Sequence, residues 1–189
     1  MGKIFVLAGK TMAGKSTVAD ILENEHDIIR VRSFTTRPKR ENEIDEVDYY
    51  FYDNDTVLLL IVLGKVVAAR AYQPHESFGS LPWYYGFNIR DITSVDNPLL
   101  ITDLEGIKNI KEKFGEENVV VFYLDVTKNE QDKRIESRGS VLNEEQQRRI
   151  SADNKDFIGI EDHVDHIIPA SKKPNLIAKE IAKVIASHT

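Results

Sequence analysis

Gly9-Lys10-Thr11-Met12-Ala13-Gly14-Lys15-Ser16-Thr17 is the stretch whose reading decides the fold. It fits the pattern G-x-x-x-x-G-K-[ST], with Gly9, Gly14, Lys15 and Ser16 in the fixed places. The apolar run Ile4-Phe5-Val6-Leu7-Ala8 precedes it, and Val18-Ala19-Asp20-Ile21-Leu22 follows with helical character. Strand, loop and helix thus come in the order that a phosphate-binding loop requires. Glycines let the backbone turn successive N–H groups inward on an anion. The helix that begins near Lys15 points its positive dipole end at the same place. In such a loop Lys15 reaches the β- and γ-phosphates of a nucleoside triphosphate and the Ser16 hydroxyl holds Mg²⁺. Gly9, Thr11, Ala13, Gly14, Lys15, Ser16 and Thr17 are the residues expected to bind that nucleotide.

The rest of the chain suits a compact nucleotide-handling domain. Its 189 residues are enough for one domain with a sizeable core, with room for insertions. A hydrophobic fraction of 41% against 30% charged residues excludes a disordered chain. With no cysteine there is neither a disulfide nor a thiolate site, which fits a cytoplasmic protein. The N-terminal apolar run is too short for a signal peptide, and Val57 to Leu63 is too short to span a bilayer, so no membrane partner is expected. A net charge of −6 argues against nucleic acid as a partner. Arg30, Arg32, Arg37, Lys39 and Arg40 nevertheless cluster, and a local basic patch in an acidic protein suits a small anion.

Strand and helix patterns alternate at both ends of the chain. Strands are expected at residues 3–8, His26 to Ser33, Asn97 to Thr102, Val119 to Leu124 and His166 to Pro169. Helices are expected at 15–24, Gly106 to Phe114, Lys128 to Arg138, Glu144 to Phe157 and Asn175 to Ala186. Between residues 34 and 96 strand patterns dominate: Asp48 to Tyr52, Val66 to Tyr72 and Trp83 to Ile89. Thr56 to Leu63 fits either a helix or a strand. The expectation is an α/β fold with a central parallel sheet and a strand-rich insertion.

Several further stretches narrow the chemistry. They are Ser33-Phe34-Thr35-Thr36-Arg37-Pro38-Lys39-Arg40, then Val47-Asp48-Tyr49-Tyr50-Phe51 and Trp83-Tyr84-Tyr85-Gly86. They continue with Ile101-Thr102-Asp103-Leu104-Glu105-Gly106, Arg134 to Gly139 and Arg148-Arg149-Ile150-Ser151-Ala152. In this order they resemble the guanylate kinase family over nearly the whole chain. The resemblance implies a P-loop NTPase three-layer fold, with a core of residues 1–33, 97–138 and 156–189. It also implies a nucleoside-monophosphate-binding insertion at 34–96 and a short lid at 139–155. ATP and Mg²⁺ would be the cofactors, and a nucleoside monophosphate the phosphoryl acceptor.

Residue chemistry supports these roles independently. Permanently charged, bidentate donors hold a phosphate monoester best, and Arg37 and Arg40, three apart on a Pro-stiffened loop, can converge on one. Ser33, Tyr49 and Tyr85 can add hydroxyl donors. Asp103 ends a buried strand, at the edge where open α/β sheets bind ligands. It can hold Mg²⁺ through water, accept from a substrate base, or cap the helix that follows. Arg134 and Arg138 share one helical face, and with Arg149 they resemble the lid arginines that neutralise charge during phosphoryl transfer.

The base-reading half of the pattern is altered. A glutamate that reads guanine in the family falls on Ala68, and a family hydroxyl falls on Phe87. Guanine preference is therefore expected to be weak or changed. Two other readings compete with the kinase: a non-catalytic binding module, and a GTPase using Asp103-Leu104-Glu105-Gly106 as a D-x-x-G motif. An intact phosphate loop argues against the first, and the lack of N-K-x-D against the second.

Overall fold

A computed structural model describes residues 2–74, 81–137 and 144–188; the side chains of residues 144–146, 148, 149 and 154 lie outside the description as well. The centre is a parallel sheet of β1 (Ile4–Gly9), β6 (Leu99–Ile101), β7 (Val119–Asp125) and β8 (His166–Pro169), in the order β6-β1-β7-β8. β1 and β7 at its centre are apolar and buried almost along their length because both faces of the sheet are covered there. Alternate residues of β1 and β7 therefore serve different layers. Ile4, Val6, Val121 and Tyr123 pack under α4 (Leu104–Phe114) through Ile107 and Ile110. Phe5, Leu7, Phe122 and Leu124 pack against α1 (Lys15–His26) and α7 (Pro174–Ser187) through Leu22, Ile177 and Ile181. The result is the expected three-layer α/β arrangement.

A second sheet lies within residues 34–88. It comprises β2 (Phe34–Thr35), β3 (Tyr50–Phe51), β4 (Val66–Tyr72) and β5 (Trp83–Asn88), in the order β3-β2-β5-β4. A short helix, α3 (Ile89–Thr93), leads the chain back toward the core. The strand expected at His26 to Ser33 shrinks to one bridge, Arg30 opposite Leu99. Val31 N–H still donates to Leu99 C=O at 3.0 Å, but Ser33 C=O already accepts from Tyr50 N–H in the other sheet. The chain passes from one sheet to the next within those few residues, which leaves no length for a strand. The ambiguous stretch resolves to helix α2 (Asn54–Val62), started by Asp53, whose carboxylate caps Thr56 N–H at 2.7 Å. Its Leu58, Leu59, Ile61 and Val62 are exposed. Helices α5 (Lys128–Ser137) and α6 (Glu144–Asp156) flank the phosphate loop. No helix among the described residues is long and apolar enough to cross a membrane.

Candidate active site

The phosphate loop leaves β1 at Gly9 and enters α1 at Gly14. A Cβ on Gly9 would lie 2.9 Å from Leu124 C=O, so only glycine lets the loop leave the sheet this closely. Gly14 has φ 93°, a left-handed conformation that suits glycine, and no side chain caps the first turn of α1. A helix N-terminus of this kind, not capped by a side chain, is where an anion is received. Buried Ala13 closes the loop, donating its N–H to Lys10 C=O at 3.1 Å. The Lys15 ammonium lies over the loop, donating to Gly9 C=O at 2.5 Å and Lys10 C=O at 3.0 Å. Ser16 and Thr17 are exposed on the first turn.

Helices α5 and α6 grip this loop from the side. Buried Asp153 accepts from Thr11 N–H at 2.7 Å, and Gln131 Nε2 donates to Thr11 C=O at 2.8 Å. Burial pushes the Asp153 carboxyl above its ordinary pKa, although the bonds from Thr11 pull the other way. Arg134 donates to Met12 C=O at 2.7 Å and, through its other terminal nitrogen, to Ala170 C=O. These bonds put its positive charge beside the loop. Arg138 lies outside the described residues. Arg149 sits on α6, with its side chain outside the description.

The basic loop after β2 is organised by an acid. Buried Arg37 donates to Glu43 Oε1 at 2.7 Å and to Pro38 C=O at 2.7 Å, while its Nε is buried without a partner among the described residues. Its guanidinium lies 5.6 Å from the Tyr49 ring centre. Arg40 is exposed; its N–H donates to Glu43 Oε2 at 2.8 Å and its Nη1 lies 4.0 Å from Oε1. Both arginines do converge on one anion, here a carboxylate of the chain itself. Burial acts to raise the Glu43 pKa, but hydrogen bonds from Arg37 and the Arg40 amide win and hold it below the ordinary carboxyl value.

A cavity of about 410 Å³ runs beside the phosphate loop, and neither Arg37 nor Arg40 lines it. Gly9, Thr11 and Lys15 line it at the phosphate loop, Ser33, Tyr49 and Tyr85 along its course, and Asp103 and Phe157 at the far end. Asp103 caps α4, with Oδ1 accepting from Gly106 N–H at 2.9 Å. Its Oδ2 accepts from Tyr72 O–H at 2.7 Å and from Arg70 Nη1. Burial first, and the negative Asp103 second, raise the Tyr72 pKa, so that hydroxyl stays a donor. Ala68 and Phe87 line the same end. Opposite Gly86 the β4–β5 ladder carries a bulge: Val67 pairs with Phe87 but Arg70 pairs with Tyr85, and Ala68 has φ 53°.

Compared with known proteins, residues 1–187 match the family model "Guanylate kinase". The chain belongs to the guanylate kinase family. A guanylate kinase of Salinibacter ruber is 30% identical over 172 residues, spanning 86% of this chain and 89% of its own. One of Prochlorococcus marinus subsp. pastoris is 29% identical over 190 residues, spanning 98% and 97%. The crystal structure of guanylate kinase from Anaplasma phagocytophilum matches with a TM-score of 0.71 at 24% identity, covering 98% of this chain and 85% of that one. The shared fold is the P-loop NTPase fold expected from the opening motif.

Within this guanylate kinase frame, four residues escaped the sequence reading: Glu43, Arg70, Tyr72 and Asp153. Glu43 stands among Glu41, Asp45 and Glu46, so its spacing from Arg40 did not single it out. Arg70 and Tyr72 had no local signal, because a bulge decides which face of β4 they take. Asp153 meets Thr11 only through the docking of α6, across 142 positions of sequence.

Proposed function

We propose that this member of the guanylate kinase family transfers the γ-phosphoryl group of ATP to GMP, giving ADP and GDP. The observation that carries the reading is the single cavity that runs from Lys15 to Asp103. Lys15 of the phosphate loop, the hydroxyl-bearing Ser33, Tyr49 and Tyr85, and Asp103 all line it. An acceptor phosphate oxygen attacks the γ-phosphorus as the bond to the β–γ bridging oxygen breaks, and ADP leaves with that oxygen. Lys15 neutralises charge on the migrating group, and the first-turn N–H groups of α1 hold the β-phosphate. Arg37, Arg40, Ser33, Tyr49 and Tyr85 hold the acceptor phosphate. Arg134 supports the loop and adds positive field, with Arg149 assigned to the lid and Arg138 to the position just before it.

Among the described residues no group of three or more His, Cys, Asp or Glu forms a metal cage. Mg²⁺ takes phosphate oxygens and waters with one or two protein ligands. The exposed Ser16 hydroxyl on the first turn of α1 fits such a ligand. Mg²⁺ would supply charge neutralisation between the β- and γ-phosphates. Asp103 already receives Arg70 and Tyr72 on Oδ2 and Gly106 N–H on Oδ1, so we assign it to holding those two side chains at the base end rather than to the metal. Residues 34–96 act as the acceptor-binding insertion and 139–155 as the lid, in a cytoplasmic enzyme.

A coupled assay for ADP tests the reading. ADP should form only when GMP accompanies ATP and Mg²⁺, and Lys15→Ala should lower kcat by about 10²–10³-fold with the fold intact. ADP formation without an acceptor, or wild-type turnover by Lys15→Ala, would overturn it. No turnover with any monophosphate would leave a nucleotide-binding module.

A further inference from the structure

Arg70 is the one cation at the far end of the cavity among the described residues. Its register partner is Tyr85, so it shares that residue's face of the sheet and points where Tyr85 points. Two contacts hold it in place. Nη1 is bonded to Asp103, and the guanidinium lies 5.1 Å from the centre of the Tyr72 ring. Its side chain is 26% exposed, and the bond to Asp103 is its sole hydrogen bond among the described residues. Nε–H and the Nη2 hydrogens make no hydrogen bond among the described residues, so the planar fork of this cavity-lining arginine keeps donors for a ligand.

We propose that Arg70 reads the acceptor's base by donating two parallel hydrogen bonds to the O6/N7 edge of a 6-oxopurine. The inference rests on the reading of this cavity as the acceptor site. A guanidinium fork matches the paired acceptors O6 and N7 of guanine. Adenine presents N7 beside an N6 amino donor, which faces the arginine with hydrogen against hydrogen. Arg70 thereby restores a choice among purines that Ala68 and Phe87, lacking polar groups, do not make. It makes that choice on a different edge. O6 and N7 are common to guanine and hypoxanthine, and Ala68 offers no acceptor for a 2-amino group. The site therefore selects 6-oxopurines over adenine while separating GMP from IMP only weakly.

The test compares kcat/KM for GMP, IMP, AMP and 7-deaza-GMP in wild type and Arg70→Met, with ATP saturating. In wild type, IMP should lie within about tenfold of GMP. AMP and 7-deaza-GMP, which lacks the N7 acceptor, should each fall about 10- to 100-fold below it, the range for a hydrogen bond to a charged group. Arg70→Met should lower GMP and IMP by a similar factor, mainly through KM, leave the KM for ATP unchanged, and bring GMP and 7-deaza-GMP to parity. If wild type uses 7-deaza-GMP as well as GMP, the proposal falls, whether or not the variant folds. If Arg70→Met weakens every acceptor equally, Arg70 is a strut for Asp103 and the proposal also falls. If no monophosphate is phosphorylated by wild type, the acceptor-site reading fails and takes this one with it.

Discussion

Glu43 ties two arginines to one carboxylate, and much of the acceptor loop depends on it. Replacing it by glutamine leaves a buried guanidinium with a weaker partner. Glu43→Gln should destabilise the fold by about 1.5–3 kcal/mol, the range for a hydrogen bond to a charged group, and raise the KM for GMP more than that for ATP. Urea unfolding and steady-state kinetics measure the two effects. The sign with pH follows from the depressed pKa. The stabilising contribution is complete above the ordinary carboxyl value of 4.5 and is lost as pH falls through the lower folded value, so the variant should lose less stability over that acid range. Asp153 has the opposite sign. Its pKa is raised by burial, so its charged form opposes folding as pH rises from 3.8 through the folded value. Asp153→Asn should therefore gain Tm relative to wild type at pH 7, and the gain should vanish near pH 3. At this scale the sequence marked Gly, Lys, Ser and Arg as candidates for phosphate, because they carry that chemistry wherever they stand. It did not show Glu43 or Asp153, whose roles come from what folding places against them.

Elements with a strong local pattern were legible. The apolar runs of β1 and β7, the glycine-bounded loop and the amphipathic faces of α4 and α7 all stand where their periodicity puts them. Two elements were not. The stretch at His26 to Ser33 alternates like a strand, but its backbone bonds are shared between two sheets. The bulge in β4 left no mark in a run of Val and Ala, yet it sets the face that Arg70 takes. Ala68 in the left-handed region stores roughly 1–2 kcal/mol of strain. Ala68→Gly should relieve it and leave stability equal or higher. Ala68→Val places a β-branched residue at positive φ and should lower stability by about 1–3 kcal/mol. Urea melts of the two variants should move the midpoint in these directions. Equal midpoints would mean that the bulge carries no strain.

The molecule is two sheets with a cavity between them, and neither sheet lends the other a strand. Closure can then proceed by turning one sheet against the other without breaking a ladder. A bisubstrate mimic should slow hydrogen exchange in β4, β5 and α6 as well as in the phosphate loop. Protection confined to residues 9–17 would argue against closure. This division was visible in the sequence as a shift from alternating to strand-rich patterns, whereas the contact of Arg70 and Tyr72 with Asp103 across the seam was not.

The seam also separates two kinds of inheritance. Ala68, Arg70, Tyr72, Tyr85 and Phe87 come from one short run of chain, residues 66–88, while the phosphate loop comes from another. If the proposed reading of the base holds, changes in that run alter which base is accepted and leave the donor machinery untouched. A lineage could thus exchange its substrate by drift in a single hairpin, without passing through an inactive enzyme.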